Sequence, residues 1–147
     1  MKLVRCGLIL MLFALTTSAY GLDPLPERLV VLTFDDSAKS HFSYVRPLLK
    51  EFGFGATFFV TEGFDFRDNK RDYMSWDEIA QLHRDGFEVG NHTRDHLPLT
   101  KENLEKYAEQ LAAIDRQCEL HGIPKPVSFA YLTVLSQWLP EQHAKRF

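Results

Sequence analysis

The chain has 147 residues, a net charge of −3 and 13% aromatic residues. That composition excludes a disordered chain and a basic surface for nucleic acid or another polyanion. It leaves a globular protein long enough for one modest domain.

Residues 1–21 read as a secretory signal peptide. Lys2 and Arg5 form a basic start, and residues 7–15 are almost wholly apolar but too short to span a bilayer comfortably. Ala19-Tyr20-Gly21 supplies small residues two apart, as a cleavage site requires. The alternative is an uncleaved membrane anchor. Cys6 precedes the apolar stretch, so lipidation is not expected. The expected location is secreted or periplasmic, with no membrane span after cleavage. Cleavage leaves one cysteine, Cys118, and therefore no intramolecular disulfide. Cys118 reads as a small buried apolar residue without chemistry.

The rest alternates between two textures. Residues 29–34 (Leu-Val-Val-Leu-Thr-Phe) are continuous, apolar and β-branched, which predicts a buried parallel strand. Residues 44–52 predict a helix with Pro47 near its first turn. Residues 56–60 predict a second strand. Ser75 with Glu78 three residues on is a capping box, opening a helix that runs to about Asp85. Residues 87–91 form a third predicted strand. Thr100 is the expected cap of a longer helix, with Leu104, Tyr107, Ala108, Leu111 and Ile114 as its buried stripe. Residues 127–131 predict a short fourth strand. Gly53, Gly86 and Gly122 each follow a predicted helix and precede an apolar residue, the expected C-terminal stop. Residues 64–71 lack periodicity and read as a surface loop beside a cleft. Three βα units with one stop signal argue for an α/β fold with a parallel sheet or barrel.

In such folds the carboxyl ends of the strands form the working face. Asp35 and Asp36 close the first strand, and His92 and His96 follow the third. The four residues are therefore expected on one rim. A catalytic zinc takes three protein ligands and leaves one position for water. Two imidazoles and a carboxylate suit zinc, and also iron, cobalt or nickel. The remaining carboxylate can take a proton from water. Taken alone, an Asp pair is often a solvated turn and a His pair an accident of the surface. Their convergence on matching strand ends is what points to a hydrolytic metal site.

At these residues the chain resembles the polysaccharide deacetylases, carbohydrate esterase family four, with its nodulation-type chitooligosaccharide deacetylase homology domain. Thr33-Phe34-Asp35-Asp36 looks like the first family motif, and His92-Thr93-Arg94-Asp95-His96 like the second. The segments around Gly55–Val60 and Ser75–Ile79 also fit. The resemblance implies a distorted (β/α) barrel, of which this chain has room for about four βα units. It implies Asp35 as general base and Asp36, His92 and His96 as metal ligands. It also implies a backbone donor near Tyr131 for the oxyanion. The implied activity is metal-dependent N-deacetylation of an N-acetylated polysaccharide. Zinc is the expected metal, with cobalt, nickel, iron or manganese as alternatives.

The chain departs from the family at several positions. Ser37 stands where glycine is usual, and Asn91 where serine is usual. Phe129-Ala130-Tyr131 starts like a third motif, but Leu132 follows where proline is expected. The later motifs, including the histidine that serves as general acid, have no counterpart. Residues 22–131 are therefore expected to be the N-terminal part of the domain. Residues 132–147 read as an atypical tail, and a truncated or frameshifted product is the expected explanation. His143 is a poor substitute acid, and His41, His83 and His121 read as surface or packing residues. Two other functions stay open: a non-catalytic remnant with partial glycan or metal binding, and a metal-dependent phosphoesterase. The absence of a basic cluster or phosphate-cradling glycine loop near the Asp pair counts against the latter.

Overall fold

A computed structural model of the chain describes residues 27–132. The signal-like segment 1–21, the tail after Leu132 and His143 lie outside the described residues. Residues 27–30 belong to one unit and carry no strand; the fold lies in the unit from Val31 onward.

Three parallel strands form the sheet, in the order β1 (Thr33–Phe34), β2 (Thr57–Val60), β3 (Glu88–Asn91). Phe34 pairs with Phe58, Phe58 with Val89 and Val60 with Asn91. β2 is central because its apolar residues can be covered on both sides. Phe58 and Val60 are fully buried, and Phe58 meets Phe34 at 5.1 Å and Phe87 at 5.5 Å between ring centroids. The first strand is shorter and less buried than its apolar run predicts. It begins at Thr33, and Val31 is 69% exposed. Among the described residues β1 has a neighbour on one side only, so one of its edges is unpaired.

Helix α1 (Arg46–Phe52) follows a π-helical turn at His41–Val45 and carries Pro47 in its first turn. There the missing N–H costs no helical bond. Helix α2 (Trp76–Arg84) starts with the expected capping box: Glu78 N–H donates to Ser75 Oγ, and Ser75 N–H donates to Glu78 Oε2 at 2.8 Å. Gly86 stops it with φ 93°, and Phe87 N–H then closes back on the Leu82 carbonyl. Gly122 ends helix α3 (Leu104–Leu120) in the same way, and both following residues, Phe87 and Ile123, enter the core. Gly53 stops α1 with the same bond pattern, but Phe54 stays exposed.

Two expectations for α3 are corrected. Thr100 does not cap it; the preceding residue is Asn103, whose side chain bonds the Pro98 carbonyl instead. The buried face is Tyr107, Gln110, Ala113, Ile114 and Cys118, while Leu104 and Ala108 are exposed. The stripe is rotated because Gln110 is drawn inward by polar partners on the loop after β3.

The predicted fourth strand reduces to one parallel bridge between Asn91 and Phe129. Asn91 N–H donates to the Ser128 carbonyl and Ala130 N–H to the Asn91 carbonyl, both at 3.0 Å. Pro124 and Pro126 precede the bridge and cannot donate to a ladder. Among the described residues no helix is long and apolar enough to cross a membrane.

Candidate metal centre

The site sits where β1, β2 and β3 end. After β1 the backbone turns left-handed at Asp36 and Ser37, with φ 70° and 56°. Ser37 is buried, and its hydroxyl donates to the Thr61 carbonyl and accepts from Thr61 N–H, each at 2.9 Å. Thr61 Oγ1 in turn donates to the Arg94 carbonyl at 3.0 Å and accepts from Gly63 N–H at 3.0 Å. Glu62 N–H also donates to the Arg94 carbonyl, at 2.8 Å. The loop after β2 thus clamps the Asp loop on one side and the His loop on the other. Contact is closest at Gly63, where a Cβ would stand 2.8 Å from the Cβ of His96.

The His loop is fixed from below. Asn91 Nδ2 donates to the Leu111 carbonyl and to Asp115, and Asn91 Oδ1 accepts from Thr93 N–H. Gln110 bonds Asp95 twice, accepting from its N–H at 2.8 Å and donating to its carboxylate at 2.7 Å. The Arg94 guanidinium beside Asp95, with help from Gln110, holds that carboxyl at about 2. Residues 92–96 are non-helical, with left-handed φ at Thr93 (64°) and His96 (54°).

Three of the predicted residues meet. Asp36 Oδ1 lies 3.0 Å from His96 Nε2 and 3.4 Å from His92 Nε2. All three donor atoms lie within 4.8 Å of one another. His92 is almost fully buried, whereas the Asp36 side chain is 46% exposed, so the cluster opens to solvent on one side. His92 Nδ1 sits 2.8 Å from the Ala130 carbonyl. A carbonyl only accepts, so Nδ1 donates to it, and Nε2 is the ring atom directed toward Asp36. Desolvation pushes His96 below the ordinary histidine value, with the His92 imidazole adding to the effect and Asp36 opposing it.

Asp36 Oδ1 is buried, yet among the described residues no hydrogen bond of acceptable geometry reaches it. An unsatisfied carboxylate oxygen facing two imidazole nitrogens lacks positive charge at its centre. A nitrogen, nitrogen and oxygen donor set of this kind fits a divalent transition metal.

Asp35 follows β1 and is exposed; its charge acts on both His41 and His96. Tyr131 is 58% exposed and directly follows Ala130, the residue that anchors His92. His121 stacks on Trp76 and bonds the Gln117 carbonyl, a packing role as expected. His41 packs against Phe34 at 5.4 Å between ring centroids, and desolvation lowers its pKa. Thr61, Gly63, Gln110 and Ala130 escaped the sequence reading.

A family model described as polysaccharide deacetylase matches residues 23–132. A peptidoglycan-N-acetylglucosamine deacetylase from Bacillus cereus is 32% identical over 84 residues, covering 56% of this chain and 36% of its own length. Among solved structures, IcaB from Ammonifex degensii superposes with a TM-score of 0.62 at 28% identity, covering 78% of this chain and 56% of that one. A family 4 carbohydrate esterase from Bacillus anthracis gives 0.55 at 26% identity, covering 67% and 45%. The chain thus spans roughly a third to just over half the length of these relatives. The likeness bears out the expected fold class, a parallel sheet with helices from part of a (β/α) barrel.

Proposed function

This chain belongs to the polysaccharide deacetylase family, and on that premise we propose that it is an exported, divalent-metal-dependent N-deacetylase of an N-acetylated glycan. Asp36, His92 and His96 hold the metal, with zinc the expected ion. When bound, such a cation activates water near neutral pH and polarises a carbonyl oxygen. Asp35, exposed beside the triad, accepts the proton of the attacking water. Oxygen adds to the acetamide carbonyl carbon, the C–N bond breaks, and acetate and a free amine result. The peptide N–H of Tyr131 is assigned to the developing oxyanion. The proton that Asp35 has taken is the one available to the departing amine. With no dedicated acid assigned among the described residues, turnover is predicted to be slow.

The observation that carries this reading is the buried Asp36 Oδ1, within 3.4 Å of two imidazole nitrogens and without a hydrogen bond among the described residues. A deacetylase named for peptidoglycan N-acetylglucosamine among the relatives supports the substrate class. The test is acetate release from N-acetylated chitooligosaccharide by the zinc-loaded protein. Release should vanish with chelator, return with zinc, and fall by about 100-fold or more in Asp35→Asn. Zinc binding without any acetate release contradicts the proposal and leaves a non-catalytic remnant. Export is tested separately by the N-terminal mass of the secreted protein, expected to lack residues 1–21.

A further inference from the structure

Five non-glycine residues among those described have left-handed backbone: Asp36, Ser37, Phe64, Thr93 and His96. Two are assigned as ligands, and Ser37 and Thr93 lie next to ligands. Phe64, with φ 59°, has no part in the triad. A left-handed conformation is unfavourable for a bulky side chain, and glycine would adopt it freely. Burial does not compensate, because Phe64 is 57% exposed, whereas Phe66 two residues on is 2% exposed. Unfavourable backbone of this kind gathers at functional sites.

That backbone delivers the ring to a specific place. Phe64 lies 4.6 Å from the His96 ring and nearly parallel to Tyr73 at 6.1 Å between centroids. Phe64 also lines a cavity of about 440 Å³ with Glu62, Asp65, Arg67, Arg94 and Asp95. An aromatic face beside carboxylates and guanidiniums suits a ligand with one apolar face and a rim of hydroxyls. A pyranose ring has that chemistry: its C–H face meets the π surface, and its hydroxyls donate to carboxylates and accept from guanidiniums. A phosphate would meet an excess of carboxylates, since Asp68 also lines the cavity. A purely apolar ligand would make no use of this charged rim, in which Arg67 pairs with Glu62 and Arg94 with Asp95.

We propose that Phe64 contacts substrate, as the aromatic wall on which a sugar ring rests next to the reacting acetamide. The proposal depends on the deacetylase reading above. The test uses zinc-loaded protein in the Asp35→Asn background, which removes turnover and keeps the ligands. Binding of N-acetylated chitooligosaccharide is measured by calorimetry for Phe64→Gly, Phe64→Leu and Phe64→Trp. Gly and Leu should weaken binding about tenfold, and Trp should retain it. Zinc affinity should stay within about threefold in all three. The melting temperature of Phe64→Gly should be unchanged or higher, because glycine releases the left-handed constraint.

Undiminished sugar binding in Phe64→Gly overturns this proposal alone. So does a Leu variant that binds as well as Trp. A parallel loss of zinc affinity in Phe64→Gly would make the ring a support for His96 and also overturn it. Failure of the parent protein, with Phe64 intact, to bind the oligosaccharide overturns the deacetylase reading and this proposal together.

Discussion

The Ser37 hydroxyl and the Thr61 peptide exchange two hydrogen bonds, one in each direction and each 2.9 Å long. Ser37 is 1% exposed and sits at φ 56°, where glycine is the easier residue. The two bonds offset that conformational cost and tie the Asp36 loop to the end of β2. Ser37→Ala should leave Thr61 N–H buried without an acceptor and destabilise the fold by about 2 kcal/mol. Ser37→Gly loses the same bonds but relieves the backbone, so its loss should be smaller by roughly 1 kcal/mol. Urea unfolding of the two variants gives both numbers, and equal losses would contradict the account of the turn.

Gly63 packs directly against His96. A methyl group there would stand 2.8 Å from His96 Cβ and 3.0 Å from the Asp95 carbonyl carbon, so the His loop must move. Gly63→Ala should weaken zinc affinity by about 10- to 100-fold, as when a supporting residue of a metal site is lost. Calorimetric titration of the variant checks this, and unaltered affinity would show that His96 is not placed by this contact.

Acid should act through Asp85 at the end of α2. Arg46 bonds its carboxylate, joined by Lys50 at 3.1 Å and Gln81 at 2.9 Å, and the carboxyl falls from 3.8 to about 2. A depressed carboxyl stabilises the fold fully above its ordinary value. That contribution is lost as pH falls from about 4 toward 2. Asp85→Asn should be less stable at neutral pH, and its melting temperature should fall less steeply between pH 4 and pH 2. Parallel curves for the two proteins would rule out this source of acid sensitivity.

Cys118 is fully buried, and desolvation pushes its thiol up to about 12. Since the thiolate is the reactive form, the native thiol should resist iodoacetamide at pH 8. Mass spectrometry should find it alkylated only after denaturation. Rapid modification of the folded protein would place Cys118 outside the core.

Features set by short-range chemistry were legible in the sequence. The Ser75–Glu78 capping box needs two residues on one helical turn, and both bonds form. The strand ends that carry Asp35, Asp36 and His92 follow from apolar runs that stop abruptly, and the triad meets where those ends meet. The turns that bring the candidate ligands together were not legible. Asp36, Ser37, Thr93 and His96 all take left-handed backbone without being glycine, so no residue type announces them. The rotation of α3 was hidden for a related reason. Gln110 turns inward only because Asp95, fifteen residues earlier, satisfies both ends of its amide. Periodicity ranks side chains by apolarity and has no means to anticipate such a partner.

Zinc titration by calorimetry into the protein and into its Asp36→Ala variant tests the central claim most directly. The account predicts one bound ion per chain for the parent protein and an affinity lower by at least about 100-fold once the carboxylate is gone. Equal affinity in the two proteins would contradict it, because Asp36 would then not join His92 and His96 in holding the ion.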